Sequence, residues 1–293
     1  MFEQTLKINV SEWVERAKAD PVAYLQRQAT EVTLNVIAMT AIPGKSLVLK
    51  GGILMGLVYD SPRHTTDIDL SSEFDAESKT DERIRSMFDN AFPRALANLG
   101  YADLVMKIHS IKKQPNKRIS KFEEADFPAL KLKISFAKRG TKQEVAMKAG
   151  KATSIVDVDI SFNEPLQQIQ ILELTGGQEL LAYSQTDLLA EKYRAMLQQV
   201  TRNRNRRQDV YDIHLIIERM QIDESTQTAI LKALFIKCRS RRIEPAKDSL
   251  DNPEVKKRSA AEWDTMELEI GDVPEFENCF RLVREFYWDL PWE

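Results

Sequence analysis

Ser46-Leu47-Val48-Leu49-Lys50-Gly51-Gly52-Ile53 leads on to Arg63-His64-Thr65-Thr66-Asp67-Ile68-Asp69-Leu70, and these two segments decide how the chain is read. The apolar run 46–49 reads as a buried strand, Lys50-Gly51-Gly52 as a glycine turn, and 53–59 as a short helix. After a loop around Pro62, Asp67-Ile68-Asp69-Leu70 alternates like a strand. The period of two puts both carboxylates on one face, a few ångströms apart. Two like charges so close are costly unless a cation neutralises them, and an oxygen-only pair suits Mg2+ or Mn2+. Taken alone, the pair fits two solvated carboxylates on an exposed strand equally well.

The glycines change that balance. A Gly-Gly at a strand-to-helix turn lets backbone N–H groups approach an anion, and the helix N-terminus adds partial positive charge. A phosphate cradle next to a metal-binding carboxylate pair describes a site for a nucleoside triphosphate and its metal. A second same-face pair, Asp157-x-Asp159, lies on a later predicted strand and offers a third carboxylate. Three carboxylates around two divalent ions suit phosphoryl or nucleotidyl transfer. Farther on stand Lys192 and Asp209, joined by a run from Lys192 to Arg207 that holds six basic residues and no acidic one. That run, the cluster Lys237, Arg239, Arg241 and Arg242, and the cluster Lys112, Lys113, Lys117 and Arg118 could each hold phosphates or an RNA backbone, or simply be solvated faces. None has interleaved aromatics, so base stacking is not indicated. His64, His109 and His214 lack partner patterns, and His214 reads as packed in an apolar helix. No GxSxG, GxxxxGK[ST], HExxH or GxGxxG occurs.

Outward from these motifs, the pattern predicts helices over 11–20, 21–39 and 81–99, with Pro43-Gly44 ending the second. Strands are predicted over 101–108, 129–136, 153–162 and 168–174, with exposed basic loops at 112–121 and 138–151. The strand signal stops at Gly176-Gly177, and helices follow at 186–200, 208–220 and 224–238. This divides the chain into a mixed half, 1–180, and a helical half, 181–293, whose last part, 261–293, carries a net −8. The aromatics Phe286, Tyr287, Trp288 and Trp292 in that tail are expected to dock on something, since its charge would otherwise leave it mobile.

At 293 residues, with 43% hydrophobic and 30% charged content, the chain can bury a substantial core. A net charge of −3 excludes a global polycation, so a polyanionic partner needs a local patch. Cys238 and Cys279 are too few for a disulfide scaffold and lack zinc spacing, which points to free thiols in a reducing compartment. The acidic first 20 residues lack a signal-peptide core, and no stretch is apolar enough to span a membrane. The expectation is a cytoplasmic protein.

The two opening segments resemble the LKGG … R-x-[ST]-x-DIDL signature of the abortive-infection type IV toxin nucleotidyltransferases, the AbiEii/AbiGii family. Asp187-Leu188-Leu189-Ala190-Glu191-Lys192-Tyr193-Arg194-Ala195-Met196 resembles that family's LAEKxxAL helix. Arg207-Gln208-Asp209-Val210-Tyr211-Asp212-Ile213 resembles its RDxYDL segment. The likeness covers roughly residues 30–220, with the motifs in order. It implies an α/β (α+β) fold: a DNA-polymerase-β-like nucleotidyltransferase core with a mixed sheet, followed by a helical C-terminal domain. It also implies an Mg2+- or Mn2+-dependent enzyme using an NTP, acting as the toxin of a toxin–antitoxin or phage-defence system beside a separate antitoxin protein. In some relatives the acceptor is a tRNA 3′ end.

Carried over by the resemblance, Gly51 and Gly52, with Lys50, hold the nucleotide. Asp67, Asp69 and a third carboxylate hold metal, Lys192 contacts phosphates, Asp209 completes the catalytic set, and Arg63 braces the DxD loop or touches phosphate. Asp159 fits the family's strand better than Asp157, and the choice stays open. The wider superfamily has Gly-Ser where this chain has Gly51-Gly52, so no serine hydroxyl reaches the phosphate. The family itself commonly has Gly-Gly. The tail beyond about residue 245 has no counterpart in the motif set. Lys192 is expected on a helix surface, where its loss would leave the fold intact. The leading expectation is transfer of NMP from an NTP to an RNA hydroxyl. The alternatives are transfer to a protein or small molecule, or a non-catalytic nucleotide- or RNA-binding module.

Overall fold

The computed structural model describes residues 2–42, 44–63, 65–116 and 120–292. Pro43, His64, Lys117 and Arg118, used in the sequence reading, lie outside the described residues. In chain order the elements are β1 (Phe2–Ile8), α1 (Val10–Glu15), α2 (Pro21–Met39), β2 (Leu47–Lys50), α3 (Gly51–Val58), β3 (Ile68–Ser72), α4 (Thr80–Asn98), β4 (Leu104–Gln114), β5 (Ala129–Lys138), α5 (Lys142–Lys148), β6 (Ile155–Ser161), β7 (Ile169–Leu174) and β8 (Glu179–Tyr183). Helices alone follow: α6 (Gln185–Gln198), α7 (Arg207–Arg219), α8 (Glu224–Ser240), α9 (Pro253–Ala260), α10 (Glu267–Ile270) and α11 (Phe276–Trp288).

The strands form one mixed sheet in the order β1-β7-β8-β2-β3-β6-β5-β4. The site depends on its centre. There β2 runs antiparallel to β3, β3 parallel to β6, and β6 antiparallel to β5. Helices α2 and α4 cover one face. Asp20 caps α2 by accepting from the N–H groups of Val22 and Ala23, Pro21 opens it, and residues 29–38 of its later turns are buried. Alternation along β6 sends Val156, Val158 and Ile160 into that layer and leaves Asp157 and Asp159 on the opposite face.

Three sequence expectations need correction. The strand signal does not end at Gly177, because β8 follows, pairs with β7 and β2, and crosses the proposed boundary at residue 180. Its five residues run straight into the Ser184 cap of α6, so by pattern alone they merge with the helix. The segment 112–121 is not all loop: β4 continues to Gln114, an edge strand too polar to show alternation. Within 138–151, α5 forms on the cap from Thr141, whose side chain accepts from the Glu144 N–H. β1 went unread because its partner, β7, lies far along the chain.

The tail docks as expected. Tyr287 is fully buried against Tyr193, with ring centroids 5.2 Å apart, and Trp292 packs on Tyr287 and Phe235. The Tyr193 hydroxyl donates to the Val283 carbonyl at 2.9 Å. Cys238 and Cys279 are free and buried. Among the described residues no helix is long and apolar enough to cross a membrane.

Candidate active site

β2 ends at Lys50 and the chain turns at once into α3. Gly51 makes the turn with φ +72°, a conformation that costs an L-residue about 1–2 kcal/mol. It is also the point of closest approach to β3. A Cβ at Gly51 would fall on the Asp69 carboxylate, 2.9 Å from its Cγ, and one at Gly52 would sit 2.8 Å from Thr65 Oγ1 and 2.9 Å from Arg63 Nη2. Among the described residues no side-chain hydrogen bond caps α3, whose start lies against the Asp69 carboxyl.

The register assembles the acids. Lys50 pairs with Asp69 across β2–β3, and Asp69 with Asp159 across β3–β6. Asp159, not Asp157, is therefore the strand neighbour of Asp69. Asp67 stands just before β3, exposed, and accepts from Thr66 Oγ1 at 3.2 Å. Burial, with the charges of Asp159 and Asp67 adding to it against Lys50 and Lys192, pushes the Asp69 carboxyl up to about 6. A like-charge cluster of oxygen donors at an uncapped helix start is what a hard divalent cation fits. As the side chains stand, among the described residues no three acidic, histidine or cysteine groups converge as a cation-holding set. Asp159 is turned to Lys131 at 2.9 Å and Asp157 to Lys133 at 2.6 Å.

The other expected residues lie where the helical half meets the sheet. Lys192, on α6, is not a surface lysine. Only 7% of its side chain is exposed, and its Nζ lies 2.6 Å from the fully buried Asp212 and 3.2 Å from Asp209, both on α7. Burial lowers its pKa, but Asp212 and Asp209 outweigh that and hold the ammonium protonated above its usual range. Arg63 also reaches Asp212, at 3.2 Å, and comes within 3.9 Å of Glu269. It thus ties the DxD loop to α7. Lys50, expected at the nucleotide, is bound by Glu164, which also accepts from Ser71 Oγ at 2.7 Å and Arg241 at 2.9 Å.

The basic run is largely neutralised. Arg194 pairs with Glu191, Arg206 with Asp209, and Arg207 with Glu262 and Glu269 of the acidic tail, which leaves Arg202 and Arg204 exposed. Of the third basic cluster, Lys113 pairs with Asp81 at 2.8 Å. Lys237 is buried on Asp187 at 2.7 Å. His214 Nε2 lies 3.4 Å from Glu218 on its own helix, and burial lowers the histidine's pKa.

Two residues escaped the sequence reading. Asp212 was legible, since it lies one helical turn from Asp209 on the same face. Glu164 was not: it sits in the loop after β6, and only the fold brings it to Lys50.

A mixed sheet whose central strands present acids beside a glycine turn, closed by a helical half, defines a nucleotidyltransferase-like fold. Solved structures of that kind resemble it over most of their length. MenT4, a nucleotidyltransferase toxin of Mycobacterium tuberculosis H37Rv, aligns with TM-score 0.52 at 15% identity, over 95% of this chain and 89% of its own. A candidate nucleotidyltransferase from H. pylori aligns with TM-score 0.52 at 11% identity, over 89% and 91%. JHP933 from Helicobacter pylori aligns with TM-score 0.51 at 12% identity, over 92% and 90%. No curated protein sequence matches the chain. Residues 36–282 match the family described as nucleotidyl transferase AbiEii toxin, type IV TA system, and the chain belongs to that family.

Proposed function

We propose that this chain transfers NMP from an NTP to a hydroxyl of an RNA, acting in the cytoplasm as a toxin held in check by a separate antitoxin, in a toxin–antitoxin or phage-defence setting. The observation that carries the reading is the placement of the Asp69 carboxyl against Gly51, with Asp159 in register beside it. Asp67, Asp69 and Asp159 would hold Mg2+ or Mn2+, which at such a site neutralises charge on the attacking and leaving oxygens. The N–H groups of Gly51, Gly52 and the first turn of α3 bind the polyphosphate, since among the described residues no side-chain hydrogen bond caps them. Lys50, steered by Glu164, and Lys192, steered by Asp209 and Asp212, hold positive charge on two sides of it. Arg63 keeps the DxD loop docked on α7. The acceptor oxygen bonds to the α-phosphorus, the α–β anhydride breaks, pyrophosphate leaves with the bonding pair, and the hydroxyl proton is released.

The test is incubation with each radiolabelled NTP, total RNA and Mg2+. Label enters RNA with at least one NTP and is lost with a chelator or in Asp69→Ala. If the folded protein labels nothing with any of the four, the enzyme reading fails. Label appearing in protein or in a small solute keeps the transfer and replaces the acceptor. Sequencing RNA 3′ ends after brief expression then identifies the modified species.

A further inference from the structure

The open face of the sheet continues past the carboxylates to its free edge. The pairings β2–β3, β3–β6, β6–β5 and β5–β4 align one row of side chains: Lys50, Asp69, Asp159, Lys131 and Lys112. The next row out holds Asp157, Lys133 and Ser110. Paired residues in adjacent strands share a face, so the acids end at β6 and the lysines begin at β5. Lys131 and Lys133 are 48% and 47% exposed, and their carboxylate partners 42% and 44%. Such ion pairs contribute little to stability and exchange readily. Lys112 is exposed, and among the described residues it has no ion pair. In a chain of net charge −3, this edge is a local concentration of cations next to the acids.

Building on the nucleotidyltransferase reading, we propose that Lys131 and Lys133 bind the phosphodiester backbone of the RNA acceptor, and that Lys131 is held on Asp159 until a divalent cation takes that carboxylate, with Lys133 on Asp157 beside it. Cation and lysine compete for the same oxygens. When Asp159 turns to a cation, the Lys131 ammonium is released toward solvent beside Lys133, whose backbone position lies about 6.7 Å farther along β5. With Lys112 beside them, they form a track leading outward from the site across β5 and β4. RNA binding is thereby coupled to metal loading, and an empty enzyme does not hold an acceptor it cannot modify. The exposure of these lysines, along β5 and across to β4, suits a flexible chain of phosphates rather than a folded acidic protein.

The experiment uses the full-length protein, Mn2+ followed by electron paramagnetic resonance, and a fluorescent single-stranded oligoribonucleotide followed by anisotropy. Lys131→Gln with Lys133→Gln should bind Mn2+ about two- to fivefold more tightly without any nucleotide, the range expected on removing an exposed competing ion pair. In the wild type, Mn2+ should strengthen oligoribonucleotide binding. The double variant should lose that gain, and its salt dependence should fall by about 0.7 in log–log slope per lysine. Unchanged Mn2+ affinity in the variant overturns the proposal, as does wild-type RNA binding that the cation leaves unchanged or weakens. Either result leaves the nucleotidyltransferase reading standing if label is still transferred from an NTP. Absence of transfer to any acceptor, with the Mn2+ competition intact, removes that reading instead.

Discussion

Asp69 and Glu191 are carboxylates of the same molecule, both largely withdrawn from water, and their surroundings drive them in opposite directions. Burial raises Asp69, the Asp159 and Asp67 charges raise it further, and its carboxyl sits at about 6. Burial also raises Glu191, yet Arg194, Lys237 and Lys50 overcome it and bring that carboxyl down to about 2. Glu191 belongs to a set of ion pairs completed within the protein at the junction of the sheet and the helical half. Asp69 belongs to a cluster with an excess of negative charge facing an uncapped helix. Electrostatic mismatch is the mark of a candidate binding site, and satisfied pairs mark architecture.

The contrast breaks most visibly at Asp212, which belongs on the architectural side. Asp212→Ala takes the buried partner from both Lys192 and Arg63 and should destabilise the protein by about 3–5 kcal/mol in urea unfolding. If stability holds while activity falls, Asp212 serves chemistry instead. Asp69→Ala should cost about 3–4 kcal/mol of transition-state stabilisation, a rate loss of several hundredfold or more in label transfer, with the fold retained.

A conservative pair of variants sharpens the comparison. Asp69→Asn should raise metal-free stability at neutral pH, and Glu191→Gln should lower it, each by about 3 kcal/mol at 1.36 kcal/mol per pKa unit. The pH dependences also oppose each other. A carboxyl raised to about 6 binds its proton more tightly when folded, so stability falls as pH rises from about 4 through 6, and Asp69→Asn removes that slope. A carboxyl lowered to about 2 contributes stability above about 4.5 that is lost as pH falls toward 2, and Glu191→Gln removes that loss. Thermal unfolding across pH 2–8 reads both. The smallest effect belongs to Gly51→Ala, at about 1–2 kcal/mol of backbone strain, together with displacement of the Asp69 carboxylate. A structure of that variant with Asp69 unmoved would separate the turn from the acid cluster.

The segments nearest the site were the most legible. The strand, turn and helix around Gly51, the DxD strand, helix α2 over Pro21–Met39 and the helical second half follow from periodicity, caps and glycine placement, which are local properties. Of the missed strands, β8 has only five residues and β1 takes its identity from pairing with the distant β7. For Lys192 the sequence predicts the correct helix and the wrong environment. The sequence near it shows a basic run, whereas its partners come from α7, and the acidic tail about sixty residues farther on takes Arg207 of that run.

From the sequence alone come the residue types able to hold a triphosphate and a divalent ion, their order, and the elements that carry them, because strand alternation and a glycine turn are written in neighbouring residues. Tertiary structure alone decided which acid stands beside Asp69, that Lys131 and Lys133 face the acids of β6, that Glu164 takes Lys50, and that Asp212 binds Lys192 and Arg63 together. Those outcomes depend on strand register and on charge pairing across long sequence separations, where one residue of slip would exchange every partner.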